Sequence, residues 1–329
     1  HNGSLQRAFE LVDADAEAKA DAVKFQTFKA EKLAISTAQK AEYQISQTGS
    51  SESQFMMLKK LELNEDSHFK IRDRCNLKGI QFLSTPFDIN SIDLLAKKMD
   101  IPRLKIPSGE ITNAPLLLKA ASTGKPLIVS TGMCAIEEIE VALGVLAFGF
   151  TKSGQNPPGL ENFQIAFKSI AGRDALRHNV ILLHCTTAYP APYEEVNLKA
   201  MDTLATTFGL PVGYSDHTMG ISVPIAAVAR GAVVIEKHFT VDKSLSGPDH
   251  QASLSPDELK AMIVSIRQVE KVLGQSSKYP TPSEIANRDI VRKSLVATKD
   301  IRVGEIFTEN NIDIKRPGNG ISPLKYWDL

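Results

Sequence analysis

His217 follows Asp216 directly, and His238 stands two residues after Glu236. No cysteine accompanies either histidine. Two converging imidazoles without thiolates would leave positions open for water and substrate oxygens, which suits a catalytic Mn²⁺ or Mg²⁺ type ion better than a structural zinc. A second group of residues points to an anion. Lys24 precedes Gln26 and Thr27, and Lys105 precedes Ser108, Gly109 and Glu110. Ser84 and Thr85, then Ser130, Thr131 and Gly132, then Thr186, Thr187 and Tyr189, and finally Ser215 extend the series. Lysine supplies point charge, hydroxyls and backbone N–H groups supply directed donors, and glycine permits close approach, as binding a small, multiply charged phosphate requires. Any one of these residues alone reads better as a cap or a salt-bridged lysine. Their recurrence along the chain favours a shared site.

Each polar group closes a short apolar run. The runs at 22–25, 80–84, 103–106, 127–130, 180–184, 211–214 and 233–236 alternate with helical patterns such as 5–18, 91–99, 136–146, 222–229 and 256–273. Strands alternating with helices predict a parallel sheet of βα units, and a parallel barrel collects its reacting groups at the C-terminal strand ends. Seven runs, an opening helix and no GxGxxG fingerprint predict an α/β fold, a (β/α)8 TIM barrel whose first strand precedes His1. A doubly wound sheet is the alternative. In a barrel His217 and His238 end adjacent strands, so their rings converge. His184 is assigned to core or surface, and Cys185 is expected to point away from the site because strand side chains alternate. Residues 149–172 read as an insertion.

Residues 1–273 thus form the barrel domain. Residues 274–293 read as a polar linker with Pro280 and Pro282, and 294–329 as a short appendage whose 36 residues are too few for a core of their own. The 38 basic and 38 acidic residues balance, which removes any global pull toward nucleic acid or an anionic membrane. The most apolar stretch, 221–235, is broken by Arg230 and too short to span a bilayer. Cys75, Cys134 and Cys185 are odd in number and scattered, so they imply buried filler in a reducing cytoplasm rather than a disulfide framework. His1 to Ser4 read as a polar loop with Ser4 as an N-cap, and no signal peptide pattern is present.

Nine motifs then add a resemblance: HNGS at 1–4, DAVKFQTF at 21–28, STPFD at 84–88, KIPSGEI at 105–111, STGM at 130–133, HCTTAYPAPYEEVNL at 184–198, GYSDHT at 213–218, IEKHFT at 235–240 and GPDHQASL at 247–254. In this order they resemble the sialic acid synthase family, which includes the legionaminate and pseudaminate synthases. The tail from 294 to 323 resembles the start of an antifreeze-like (SAF) domain, cut short at Leu329. The resemblance implies a cytoplasmic transferase of capsule or lipopolysaccharide biosynthesis. It would condense phosphoenolpyruvate with an N-acetylated amino sugar, N-acetylmannosamine or a diacetamido-dideoxy sugar, to give a nonulosonic acid and phosphate. N-acetylneuraminate is the first expected product, with legionaminate or pseudaminate as alternatives.

Carried over by position, the resemblance implies that Lys24, Thr85, Lys105, Ser108, Ser130, Thr187 and Ser215 hold phosphoenolpyruvate. Gln26, Tyr189, Asp249 and Arg316 would line the sugar site. Lys24, Lys105, Glu110 and Glu236 would serve the chemistry, and His217 and His238 would hold Mn²⁺, or Mg²⁺ or Co²⁺ in its place. It also implies a homodimer whose C-terminal domains are exchanged, so that Arg316 reaches the partner's sugar. One departure is a family glutamate expected five residues before His1. Two other readings stand beside this one: a metal-free aldolase with a Schiff base on Lys24 or Lys105, and a noncatalytic carbohydrate-binding protein.

Overall fold

A computed structural model describes residues 1–49, 51–151 and 156–329. The chain forms two compact units, His1–Leu273 and Gly274–Leu329. In the first, seven strands follow one another: β1 (Ala22–Thr27), β2 (Gln81–Pro86), β3 (Leu104–Ile106), β4 (Leu127–Ser130), β5 (Val180–Cys185), β6 (Val212–Asp216) and β7 (Ile235–Lys237). Every apolar run read from the sequence is a strand, with ends shifted by at most two residues. Five strands run on past their predicted ends, β5 and β7 by one residue and β1, β2 and β6 by two.

Among the described residues of this unit the ladder pairs are parallel; β1 pairs with β2, and β3 to β7 pair in sequence order. This arc of neighbours excludes the strand reversal of a doubly wound sheet. Among the described residues β1 pairs only with β2 and β7 only with β6. A cavity of about 530 Å³ opens between these two edges, lined by residues 22–26 on one side and 233–239 on the other, with Asp15, Met262 and Ile266 from the flanking helices.

Period two sorts the strand residues. Leu83, Ile128 and Leu183, with Ile181 and Val234, fill the interior of the arc. Val23, Phe82, Leu104, Val129, Leu182 and Val212 face outward and join the main core under the helices. Gly213 is needed where β6 meets β7, since a Cβ there would lie 2.3 Å from the Val234 carbonyl oxygen. The helix Leu5–Glu17 is capped by Ser4, whose Oγ accepts from the Arg7 N–H at 3.3 Å.

Residues 149–172 depart from the insertion expected there. The helix Ile136–Thr151 runs five residues past its predicted end, and helices Leu160–Lys168 and Ile170–Asn179 follow. Phe148 packs edge-on against Phe163 at 5.3 Å, which shows why the apolar run 145–150 stays helical. Residues 152–155 of that segment lie outside the described residues.

In the second unit the expected linker is partly helical. Pro282–Val291 forms a helix because Thr281 and Glu284 make a capping box, a signal the polar composition masked. Strands β8 (Ser294–Ala297) and β9 (Ile312–Lys315) pair antiparallel. Ser294 Oγ donates to the Pro317 carbonyl at 2.7 Å and accepts from the Gly320 N–H at 2.8 Å. A 3₁₀ turn, Pro323–Asp328, carries Trp327, which is 88% exposed. Among the described residues no helix is long and apolar enough to cross a membrane.

Candidate active site

The alternation that places Leu83, Ile128, Leu183 and Val234 inside also places Thr85, Ser130, Cys185 and Glu236 inside, two residues further on. On the same parity β1 brings Lys24, β3 brings Lys105 and β6 brings Ser215. Glu236 joins them. Its Oε1 lies 2.9 Å from Lys24 Nζ, 3.6 Å from Lys105 Nζ and 2.9 Å from the donating Ser215 Oγ. Lys105 Nζ also donates to Ser130 Oγ at 2.6 Å and to the Ile106 carbonyl at 3.3 Å.

Lys105 is only 2% exposed, and burial pushes its ammonium down to about 8 against the opposing pull of Glu236. Burial alone would raise the Glu236 carboxyl, but the charges of Lys105 and Lys24 hold it well below the usual carboxylate range. Two cations and one anion therefore share a partly buried site with a net positive charge, ready for an anionic ligand.

Beside them lies a cradle of small polar tips. Ser108 Oγ accepts from the Gly132 N–H at 2.9 Å and lies 3.2 Å from Cys185 Sγ. A Cβ on Gly132 would come within 2.4 Å of Thr187 Oγ1 and 2.9 Å of Cys185 Sγ and Ser108 Oγ, so only glycine leaves this space open. Thr85 Oγ1 is buried without a hydrogen-bond partner, as a donor awaiting a ligand would be. Other hydroxyls follow the capping reading: Thr27 and Ser84 bond each other at 2.7 Å, and Thr131 Oγ1 donates to the Leu183 carbonyl at 3.0 Å.

The expectation that Cys185 points away is corrected here. Cys185 pairs in register with Ser215 and His184 with Tyr214. The thiol therefore faces the cradle, while His184 turns outward to the Val196 carbonyl at 2.7 Å.

His217 and His238 do converge, with ring centroids 5.4 Å apart. Tyr189 lies 4.3 Å from the first ring and 5.5 Å from the second, and Tyr43 covers Tyr189 at 4.9 Å. Nδ1 of His217 lies 2.6 Å from the Thr186 carbonyl, so it carries the proton and leaves Nε2 with a free lone pair. Burial pushes both imidazoles down to about 4, which keeps them neutral at pH 7. Among the described residues no group of three or more His, Cys, Asp or Glu side chains converges to hold a metal. Two neutral imidazoles fit an ion that completes its shell with water and substrate oxygens, and they do not make a closed structural site.

The remaining expected residues divide. Asp249 Oδ2 lies 3.9 Å from His238 Nδ1, and Gln26 lines the cavity mouth. Glu110 is tied to Asn113 Nδ2 at 2.7 Å rather than to a lysine. Arg316 follows β9 in the second unit and is exposed. Asp216, read beside His217 as support for the metal, instead bonds Lys237 Nζ at 2.5 Å. Lys237 and Tyr43 were not singled out in the sequence; strand parity gives the first, and nothing local gives the second.

Residues 11–278 match the NeuB family, and residues 292–329 match the SAF domain. The N,N'-diacetyllegionaminic acid synthase of Campylobacter jejuni is 50% identical over 326 residues, covering 99% of this chain and 90% of that protein. The N,N'-diacetyllegionaminic acid synthase of Legionella pneumophila is 49% identical over 323 residues, covering 98% and 84%. Among solved structures, N-acetylneuraminic acid synthetase of Leptospira borgpetersenii superposes with a TM-score of 0.68 at 32% identity, covering 87% of this chain and 86% of that one. With both matches falling on the units that carry the strand-end site and the β8–β9 hairpin, the chain belongs to the NeuB family of sialic acid synthases and ends in a SAF domain.

Proposed function

We propose that this chain condenses phosphoenolpyruvate and water with a diacetamido-dideoxy sugar, giving N,N'-diacetyllegionaminate and phosphate. The observation that carries the reaction class is the Lys24–Glu236–Lys105 cluster beside two neutral histidines. The two most similar relatives named above support this sugar over N-acetylmannosamine or a pseudaminate precursor.

In this reading Lys24 and Lys105 balance the phosphate charge. Thr85, Ser108, Ser130 and Thr187 donate to its oxygens, the Gly132 N–H holds Ser108 Oγ in place, and Ser215, which donates to Glu236, lines the same site. Glu236 and Glu110 orient their neighbours and the substrates. Gln26, Asp249 and the Tyr189 ring, backed by Tyr43, line the sugar. His217 and His238 would hold Mn²⁺, with Mg²⁺ or Co²⁺ as substitutes, and the ion would polarise the aldehyde of the open-chain sugar as a Lewis acid. C3 of phosphoenolpyruvate attacks that aldehyde, water adds at C2, and phosphate leaves by C–O cleavage.

Two further points belong to the same reading. A parallel strand seated between the edges of β1 and β7 completes a (β/α)8 barrel; that these edges are unpaired among the described residues, with a cavity between them, supports it. The protein works as a cytoplasmic homodimer in which Arg316 serves the sugar site of the partner, which its exposure supports. Residues 1–273 are the synthase domain, 274–293 connect, and 294–329 are the SAF domain.

Mass spectrometry of products formed from phosphoenolpyruvate, Mn²⁺ and each candidate sugar tests the function. Legionaminate from the diacetamido sugar is expected. N-acetylneuraminate alone would move the sugar assignment, and no condensation with any sugar would refute the reaction. Borohydride trapping of an adduct on Lys24 or Lys105 would replace the metal with a Schiff base.

A further inference from the structure

The two imidazoles owe their setting to the far side of the strand wall. Asp216 on β6 lies level with Lys237 on β7. Alternation therefore sends this pair toward the helices and returns His217 and His238, one residue on, to the interior. The pair is sealed: the Lys237 side chain is 2% exposed and that of Asp216 0%, with 2.5 Å between Nζ and Oδ2.

Both side chains also grip Thr218, beyond His217. Asp216 Oδ1 accepts from the Thr218 N–H at 3.0 Å and from its hydroxyl at 2.8 Å, and Lys237 Nζ donates to the Thr218 carbonyl at 2.5 Å. The backbone on either side of His217 is thus pinned to the residue that immediately precedes His238. A buried ion pair contributes little net stability, because desolvation offsets its attraction, so an apolar pair would hold these strands together as well. An apolar pair would not direct three bonds at Thr218.

We infer that Asp216, Lys237 and Thr218 are positioning residues that fix the separation of His217 and His238 and thereby set the affinity for a divalent cation. This inference rests on the metal reading above.

The test is Mn²⁺ titration of the substrate-free chain, with free ion followed by electron paramagnetic resonance. Thr218→Val, Thr218→Ser and the paired change Asp216→Asn with Lys237→Gln are compared with His217→Ala. With circular dichroism and melting unchanged, the paired variant is expected to bind Mn²⁺ roughly tenfold or more weakly, as loss of outer partners does elsewhere. Thr218→Val is expected to weaken binding several-fold, and Thr218→Ser to restore it. Folded variants that bind like the parent, while His217→Ala loses Mn²⁺, would overturn the clamp and leave the metal reading standing. His217→Ala that binds like the parent would overturn the metal reading itself. Should the paired variant not fold, the near-isosteric Thr218→Val decides alone.

Discussion

Lys105→Met removes one cation from the proposed phosphate site with little change in volume. The ammonium is buried, bonds Ser130 at 2.6 Å and faces Glu236 at 3.6 Å. Its loss leaves Lys24 to balance both Glu236 and the incoming phosphate. Truncating one partner of a buried charge pair costs about 2–5 kcal/mol. At about 1.4 kcal/mol per factor of ten, this becomes a rise in KM for phosphoenolpyruvate of about 30-fold to a few thousand-fold. Phosphate release measured over a phosphoenolpyruvate series, with the fold checked by circular dichroism, gives the number. The pH profile adds a second readout. In the free protein burial brings Lys105 down to about 8, so kcat/KM should fall as pH rises through that value and the ammonium is lost. Lys105→Arg, always charged, should remove that limb. An unchanged KM and a profile flat between pH 7 and 9 would make Lys105 a structural residue.

His217→Ala and His238→Ala should each abolish chelator-sensitive turnover while the barrel stays folded, because each removes one of two imidazole ligands; full activity in both would end the metal assignment. Mixing Arg316→Ala chains with His217→Ala chains should restore about a quarter of parental sites, since half of randomly exchanged dimers hold one intact composite site. Mixed dimers that form without activity would place Arg316 in its own protomer's site or in none. Gly213→Ala should lower the melting temperature through about 1–3 kcal/mol of overpacking, its methyl meeting the Val234 carbonyl. An unshifted melting curve would mean that β6 and β7 can part without cost.

The strands were legible because each is a short apolar run closed by polar residues, and period two carries most of the site with them. Once Leu183 is known to face inward, Cys185 must face inward too, because side chains two apart share a face of the strand. The same parity turns Asp216 away from His217, although the two are neighbours in sequence. What the sequence could not show depends on partners far along the chain. Tyr43 meets Tyr189 only because the segment after β1 folds back over the mouth, and no local pattern encodes that contact. The helix Pro282–Val291 was hidden by its polarity, which is what a solvated helix of ten residues shows.

The chain contains one tryptophan, and it is Trp327 on the exposed 3₁₀ turn. Indole emission therefore originates entirely in the SAF unit, while the barrel contributes only tyrosine light. Excited at the red edge of the absorption band, the protein carries a built-in optical probe placed in that unit. Its colour changes only when water is driven from that turn, so a blue shift with rising protein concentration would read out covering of the turn by a second chain without any label.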